Sequence, residues 1–347
     1  MFPSKSISAP KNPSNIPFKT PTSWRLLISA SLLATALGAG ASHAADSVTL
    51  RIDWTLQGFH LPFVWALDKG YYAAEGLDVK ILEGRGSGNV AQVLASKGDT
   101  FGQLDAGAGA LARSKGAPIK IIATYLQKTQ GALVSFKTTG IDKPEDVIGK
   151  TIATSQGSTS GNLFRAFLKS NNIPEDKVKM QSVDSHAKMA SLLQGRVDAI
   201  TGLVTAECVE IALQSSKPVN CMHLSEYGVK ALSIALAAHE DLLRDKPDLV
   251  KRFVKATNRG WEESVKHPAE AAKIGKKHFP LAEEHLLKAK FEQVEPLMHT
   301  DATKGKPTGW IAQSDWEGTI TVLKELAGMK SNEPVTAFYT NDFISSK

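Results

Sequence analysis

Ten residues stand where strand ends and helix starts are expected, and their types suit holding a small molecule better than breaking a bond. Trp54, Gln57 and His60 follow the first strand, with Phe59 beside them. An indole, an amide and an imidazole so close together can stack on a flat ligand and hydrogen-bond it. The competing assignment makes Trp54 and Phe59 ordinary core. Two short loops, Gly84 to Asn89 and Gln156 to Ser160, are rich in glycine and hydroxyl residues and run directly into helices. A helix start offers unpaired N–H groups and partial positive charge, so it can hold an anionic or carbonyl oxygen. Ser87, Asn89, Ser158 and Thr159 add side-chain donors there, unless they serve only as helix caps. Asp184 stands between a strand and a helix and can bind a ligand N–H or cap the helix. Gln130 and Thr201 complete the set as weaker candidates.

Motifs for catalysis fail on inspection. Gly149-Lys150-Thr151 ends like a phosphate loop, but Pro144 stands where the upstream glycine must turn its amide inward. Gly84 and Gly86 have dinucleotide spacing, yet Asn89 replaces the third glycine. Gly157-Ser158-Thr159-Ser160-Gly161 mimics a nucleophile elbow with Thr in the nucleophile position. The histidines lack metal-ligand spacing, and Cys208 and Cys221 form no CxxC pair. Neither catalytic residues, nor a metal, nor a cofactor is therefore expected. The two cysteines can form a disulfide or remain buried thiols, and the sequence leaves both open.

The elements that must position these residues alternate. Val48, Leu50, Ile52 and Trp54 read as a first strand, Leu77 to Leu82 as a second, and Val90 to Lys97 as a helix stopped by Gly98. Strands near Thr100 and Ile119 flank a small-residue helix, Gly107 to Lys115. The pattern returns with strand Thr151 to Thr154, helix Ser158 to Ser170, strand Val178 to Ser182, helix Ser185 to Gln194, strand Val197 to Thr201 and helix Thr205 to Gln214. Gly98 and Pro118 correspond in order to Gly195 and Pro218, so two similar α/β lobes with largely parallel sheets are predicted. Helices dominate after Ala237, including an amphipathic stretch within Asp241 to Lys266.

Composition narrows the class. The 347 residues are 42% hydrophobic and 22% charged, as in ordinary globular domains, and suffice for two of them. The net charge of +6 would suggest nucleic acid, but Lys5, Lys11, Lys19 and Arg25 are the only charges before Asp46. Without those four of its 41 basic residues the chain carries +2, too little to argue for a polyanionic partner. Residues 26 to 41 are apolar and uncharged, and Ser42-His43-Ala44 follows with small residues. This reads as a signal peptide cut near Ala44, with a periplasmic product, rather than a membrane anchor.

Residues 53 to 81, DWTLQGFHLPFVWALDKGYYAAEGLDVKI, resemble the opening of periplasmic solute-binding proteins of the nitrate/taurine/sulfonate class, nearest to their NMT1/THI5-like branch. Asp53, Trp54, His60, Gly70-Tyr71-Tyr72 and Gly76-Leu77-Asp78-Val79 match that branch's pattern. Similar segments continue at Ile148-Gly149-Lys150, Gln156-Gly157-Ser158, residues 193 to 199 and Tyr339-Thr340-Asn341. The resemblance implies a type II periplasmic-binding fold: two doubly wound α/β lobes, joined by two crossing strands near Val134 to Phe136 and Ser233 to Ala237, with the ligand between them. Lobe 1 would comprise 45–134 and 236–347, and lobe 2 residues 135–235. It further implies a monomer that closes on a small organic ligand and delivers it to an ABC permease and ATPase complex. Trp54, Phe59 and His60 suit a planar aromatic or heteroaromatic ligand, and the hydroxyl-rich helix starts suit an organic sulfonate, carboxylate or nitrate; an organic molecule with an anionic or carbonyl group is favoured. Gln57 departs from the branch's Asn, which puts a thiamine-type pyrimidine in doubt. The branch also includes a pyrimidine synthase that consumes its own histidine and carries a CCCFC motif, which this chain lacks. A secreted enzyme of that kind and a periplasmic sensing subunit are the rival readings.

Overall fold

The computed structural model describes residues 44–155 and 158–345. The predicted leader, apart from Ala44, and Gln156-Gly157 of the second loop lie outside the described residues. Two five-stranded sheets form the body. The first contains β1 (Asp46–Arg51), β2 (Leu77–Leu82), β3 (Phe101–Asp105), β4 (Ile119–Thr124) and β10 (Ile234–His239), in the order β2-β1-β3-β10-β4. The second contains β5 (Gly131–Phe136), β6 (Thr151–Thr154), β7 (Lys179–Ser182), β8 (Ala199–Leu203) and β9 (Val219–His223), in the order β7-β6-β8-β5-β9. Among the described residues no helix is long and apolar enough to cross a membrane.

The two strand orders superpose element for element. β1 runs parallel to β2 and β3, as β6 does to β7 and β8. Each sheet has one strand antiparallel to its neighbours, β10 in the first and β5 in the second. Each of these follows a passage from the other sheet. The repeated order read from the sequence is thus a repeated topology. The repeat also fixes which loops correspond. The Gly84 to Asn89 loop follows β2, so its counterpart is the turn after β7 that carries Asp184. The Gln156 to Ser160 loop follows β6, the counterpart of β1.

The passages between sheets differ from those expected. Val134 to Phe136 lies inside β5, and Ser233 to Ala237 lies largely in β10. Both runs are apolar and buried between two neighbours, which makes them sheet interior. The first passage is the polar stretch Gln127 to Gln130, where the N–H groups of Gln127 and Lys128 both donate to the Leu297 carbonyl.

Helices cover both faces. In the first half these are α1 (Leu61–Asp68), α2 (Tyr71–Ala74), α3 (Ser87–Ala95) and α4 (Ala106–Ser114). The second sheet is flanked by α5 (Thr159–Ser170), α6 (Ser185–Leu193) and α7 (Glu207–Gln214). The chain then forms α8 (Glu240–Asp245), α9 (Pro247–Ser264), α10 (Pro268–His278), α11 (Glu284–Phe291) and α12 (Gln313–Leu326). Pro247 divides the predicted long helix into α8 and α9, because it cannot donate the N–H that would continue the first. α9 buries Leu249, Phe253 and Trp261, and Gly260 lets it approach α1, since a Cβ there would lie 2.5 Å from the Pro62 carbonyl oxygen.

Cys208 on α7 and Cys221 on β9 form a disulfide, with Cα atoms 5.9 Å apart and a sequence separation of 13. Closing a loop of this size in the unfolded chain stabilises the fold by about 3 kcal/mol. The double Cys208→Ala, Cys221→Ala variant should lose roughly that much in urea unfolding, and an unchanged midpoint would show that the bond contributes nothing.

Candidate functional site

β1 ends at Arg51 and the chain bends at Asp53. The Gly84 loop lies directly on this bend: a Cβ on Gly84 would sit 2.3 Å from the Ile52 carbonyl oxygen. The Gly86 N–H donates to the Asp53 carbonyl at 2.6 Å. This close approach places Ser87, the first residue of α3, against the Asp53 side chain. Ser87 Oγ–H donates to Asp53 Oδ2 at 2.8 Å and accepts the Asp105 N–H at 3.0 Å. From the central strand β3, Gln103 Oε1 accepts the Asp53 N–H at 2.9 Å.

His60 completes the group. The Gln57 N–H donates to His60 Nδ1 at 3.0 Å. Nδ1 is therefore the acceptor, Nε2 carries the proton, and Nε2–H donates to Asp53 Oδ1 at 3.0 Å. The order is Ser87, Asp53, His60, with the carboxylate in the middle. In a hydrolytic triad the imidazole stands between serine and carboxylate. Here His60 cannot take the Ser87 proton, so the array fixes Asp53 rather than activating Ser87.

Asp53, Trp54, Gln57, Phe59 and Ser87 line one wall of a cleft of about 520 Å³. Met189 on α6, with Leu203, Ala206, Glu207 and Glu210 around β8 and α7, lines the other. The cleft therefore lies between the two sheets, at the carboxyl ends of β1 and β8, where open α/β sheets take ligands. Trp54 is 52% exposed, unusual for an indole and available for stacking, whereas Phe59 presents only an edge of a largely buried ring.

Charge divides unequally here. Glu207 pairs with the buried Lys188 at 3.0 Å and accepts the Leu203 N–H. Glu210 pairs with the buried Lys290 at 2.5 Å. Among the described residues no Lys or Arg pairs with Asp53. The cleft thus presents three carboxyl groups, two matched by lysines behind them and one by hydrogen bonds alone.

Three predicted site residues, Trp54, Gln57 and Ser87, meet in this cleft. His60 is fully buried beside the cleft and hydrogen-bonds Asp53. Asn89 is exposed in the first turn of α3, outside the cleft wall. Asp184 is exposed at the start of α6, where its carbonyl accepts the N–H groups of Ala187 and Lys188. Ser158 caps α5 by accepting the Gly161 N–H at 3.1 Å, which is the capping role weighed above. Thr159 lines a separate cavity of about 100 Å³ that also contains Asp105. Thr201 is buried in β8, bonded to Thr154 and Ser160. Gln130 is buried at the first passage, donating to Ser233 Oγ at 2.9 Å and accepting from Thr205 Oγ1. It ties the two passages together.

Asp53 itself, Gln103, Glu207 and Glu210 were missed as site residues. Gln103 carried a signal, as an amide at the centre of the buried strand β3. The two glutamates stand three apart, which places them on one helix face, but nothing local showed what that face meets.

A family model described as NMT1/THI5 like matches residues 57–271. The chain belongs to that family. Among relatives of this NMT1/THI5-like chain is a riboflavin-binding protein of Chloroflexus aurantiacus, 24% identical over 311 residues and covering 88% of each chain. A formylaminopyrimidine-binding protein of Halalkalibacterium halodurans is 24% identical, covering 82% of this chain and 87% of its own. A 4-amino-5-hydroxymethyl-2-methylpyrimidine phosphate synthase of Legionella pneumophila is 23% identical, covering 87% and 94%. The aliphatic sulphonate-binding protein of the Escherichia coli periplasm shares the fold with a TM-score of 0.68 at 12% identity, covering 84% of this chain and 91% of its own. The two-lobed periplasmic-binding-protein fold is thereby established.

Proposed function

We propose that this chain is an extracytoplasmic solute-binding protein that closes its two lobes on a small, flat nitrogen heteroaromatic compound and passes it to an ABC importer. The observation that carries the reading is the cleft between the sheets. An exposed indole and the Asp53 carboxylate face Glu207 and Glu210 across about 520 Å³, a volume suited to a small organic ligand. A ligand touching both walls favours the closed form through its greater affinity for it. Asp53, fixed by Ser87 and His60, accepts a hydrogen bond from a ring or amino N–H. Three carboxyl groups around one cleft disfavour a sulfonate, carboxylate or nitrate, so of the two ligand classes weighed the heteroaromatic one is preferred. The relatives named for riboflavin and formylaminopyrimidine support the same choice.

Mass spectrometry of small molecules released from the purified protein tests this. The expected finding is a nitrogen heterocycle, with riboflavin and a formylaminopyrimidine as first probes for thermal shift. Recovery of an organic anion, or the absence of any shift and any compaction in scattering across a heterocycle panel, would overturn it. A second reading is an enzyme like the pyrimidine phosphate synthase relative, favoured by a buried histidine beside the cleft. It predicts a pyrimidine product and covalent change at His60, whereas the capture reading predicts an unaltered protein mass.

A further inference from the structure

Lys290 on α11 is only 4% exposed, yet it lies against the cleft. A buried ammonium must find acceptors, or its burial costs several kcal/mol. Lys290 Nζ has two. It donates to Gln57 Oε1 at 2.8 Å and pairs with Glu210 Oε1 at 2.5 Å. Gln57 and Glu210 line opposite walls of the cleft. One buried side chain of α11 thus grips a residue from each side of the opening.

The ammonium also settles the direction of an amide. Lysine has donors only, so the oxygen of the Gln57 carboxamide must face it and the NH2 group must turn elsewhere. Gln57 lines the cleft, so that NH2 is offered to the ligand. We propose that Lys290 is a positioning residue for this site: it clasps the lobes through Glu210 and fixes Gln57 as a hydrogen-bond donor in the cleft. The extra methylene of Gln57, relative to the Asn expected from the resemblance, gives its oxygen the reach to Lys290. The cleft then accepts at Asp53 and donates at Gln57, and selects ligands with an N–H and a lone pair at matching places. This selectivity rests on the capture reading; the clasp and the amide orientation do not.

The test uses ligand-free protein. Lys290→Met and Glu210→Gln each remove one side of the interlobe pair. A hydrogen bond to a charged group shifts such an equilibrium by roughly 10- to 100-fold. Both variants should show a larger radius of gyration in solution scattering and stronger acrylamide quenching of Trp54, with Lys290→Arg restoring much of the compaction. The Gln57 side-chain amide, assigned by its loss in Gln57→Leu, should give two slowly exchanging 15N–H lines in the wild type. In Lys290→Met those lines should move to the positions of a solvated, freely rotating side chain. Far-ultraviolet dichroism identifies any variant that fails to fold, and Glu210→Gln then carries the test, because it leaves Lys290 in place. If the folded variants keep wild-type compaction and unchanged Gln57 lines, the proposal is wrong, whatever the ligand proves to be.

Discussion

Replacing Asp53 by Asn should weaken capture of a heteroaromatic ligand by roughly 10- to 100-fold in calorimetric titration. The magnitude is that of one charge-assisted hydrogen bond, about 1.5–3 kcal/mol. Asparagine keeps the shape and one acceptor oxygen, which His60 Nε2–H can still occupy at the place of Oδ1. At the place of Oδ2 an NH2 group now meets Ser87 Oγ, which already accepts the Asp105 N–H. The serine proton loses its acceptor, and a loss of about 1 kcal/mol in fold stability should accompany the change. Ser87→Ala provides the comparison, since it removes one support of Asp53 and leaves the charge. Its effect on affinity should be several-fold smaller. The sign of the Asp53→Asn effect is the informative part. A cationic or N–H-bearing ligand binds more weakly without the carboxylate. An organic anion binds more tightly, because a repelling charge has gone. A tighter complex would therefore reverse the choice of ligand class made above.

The sequence carried the architecture better than the site. Period-two and helical patterns located most elements to within a few residues, because strands such as Leu77–Leu82 and Thr151–Thr154 are bounded by residues that end them. The doubled order of helix, glycine, strand, helix, proline and strand was visible because both lobes need the same punctuation. The passages between sheets were misplaced for a physical reason. Gly131–Phe136 is buried on all sides, and a buried apolar run reads identically in a crossing and in a sheet centre. Trp54, Gln57 and Ser87 were legible because their chemistry and their place at element ends agree. Glu207, Glu210 and Lys290 were not. Glu207 meets Lys188 of α6 and Glu210 meets Lys290 where α7 approaches α11, and a single sequence without topology does not bring such positions together. His60 and Gln130 were placed among the cleft residues, and both prove buried and hydrogen-bonded within the protein, because a buried polar side chain and a cleft-facing one look alike until burial is known.

Asp105 should make the fold lose stability as pH rises from about 4 to 7. The residue is half-buried at the end of β3, and desolvation pushes its carboxyl up to about 7 from the ordinary 3.8, with the nearby Asp53 charge adding to the effect. The Ala108 and Gly107 N–H groups and the Ser233 hydroxyl pull the other way. In the window between the two values the folded chain holds a proton that the unfolded chain has released. The contribution is therefore complete below the lower value and is lost as pH passes the upper one. Its full size is up to about 4 kcal/mol for a difference of this extent. Asparagine cannot titrate, and its oxygen can still accept the Ala108 N–H that Asp105 Oδ1 receives at 3.2 Å. Asp105→Asn should thus match the wild type near pH 4, exceed it at pH 8 by as much as a few kcal/mol, and show a flatter profile between in urea unfolding. Identical profiles for the two proteins would refute the assignment. The consequence for the site follows from position. Asp105 joins Ser87 through its N–H and approaches Ser233 Oγ at 3.5 Å through its carboxyl. Ser233 accepts from Gln130, which accepts in turn from Thr205 beside β8. One chain of hydrogen bonds therefore runs from the second sheet, across both passages, to the carboxylate at the cleft. A second negative charge in that chain at high pH opposes the charge on Asp53, so the fold and the carboxylate at the cleft are most compatible when Asp105 stays neutral.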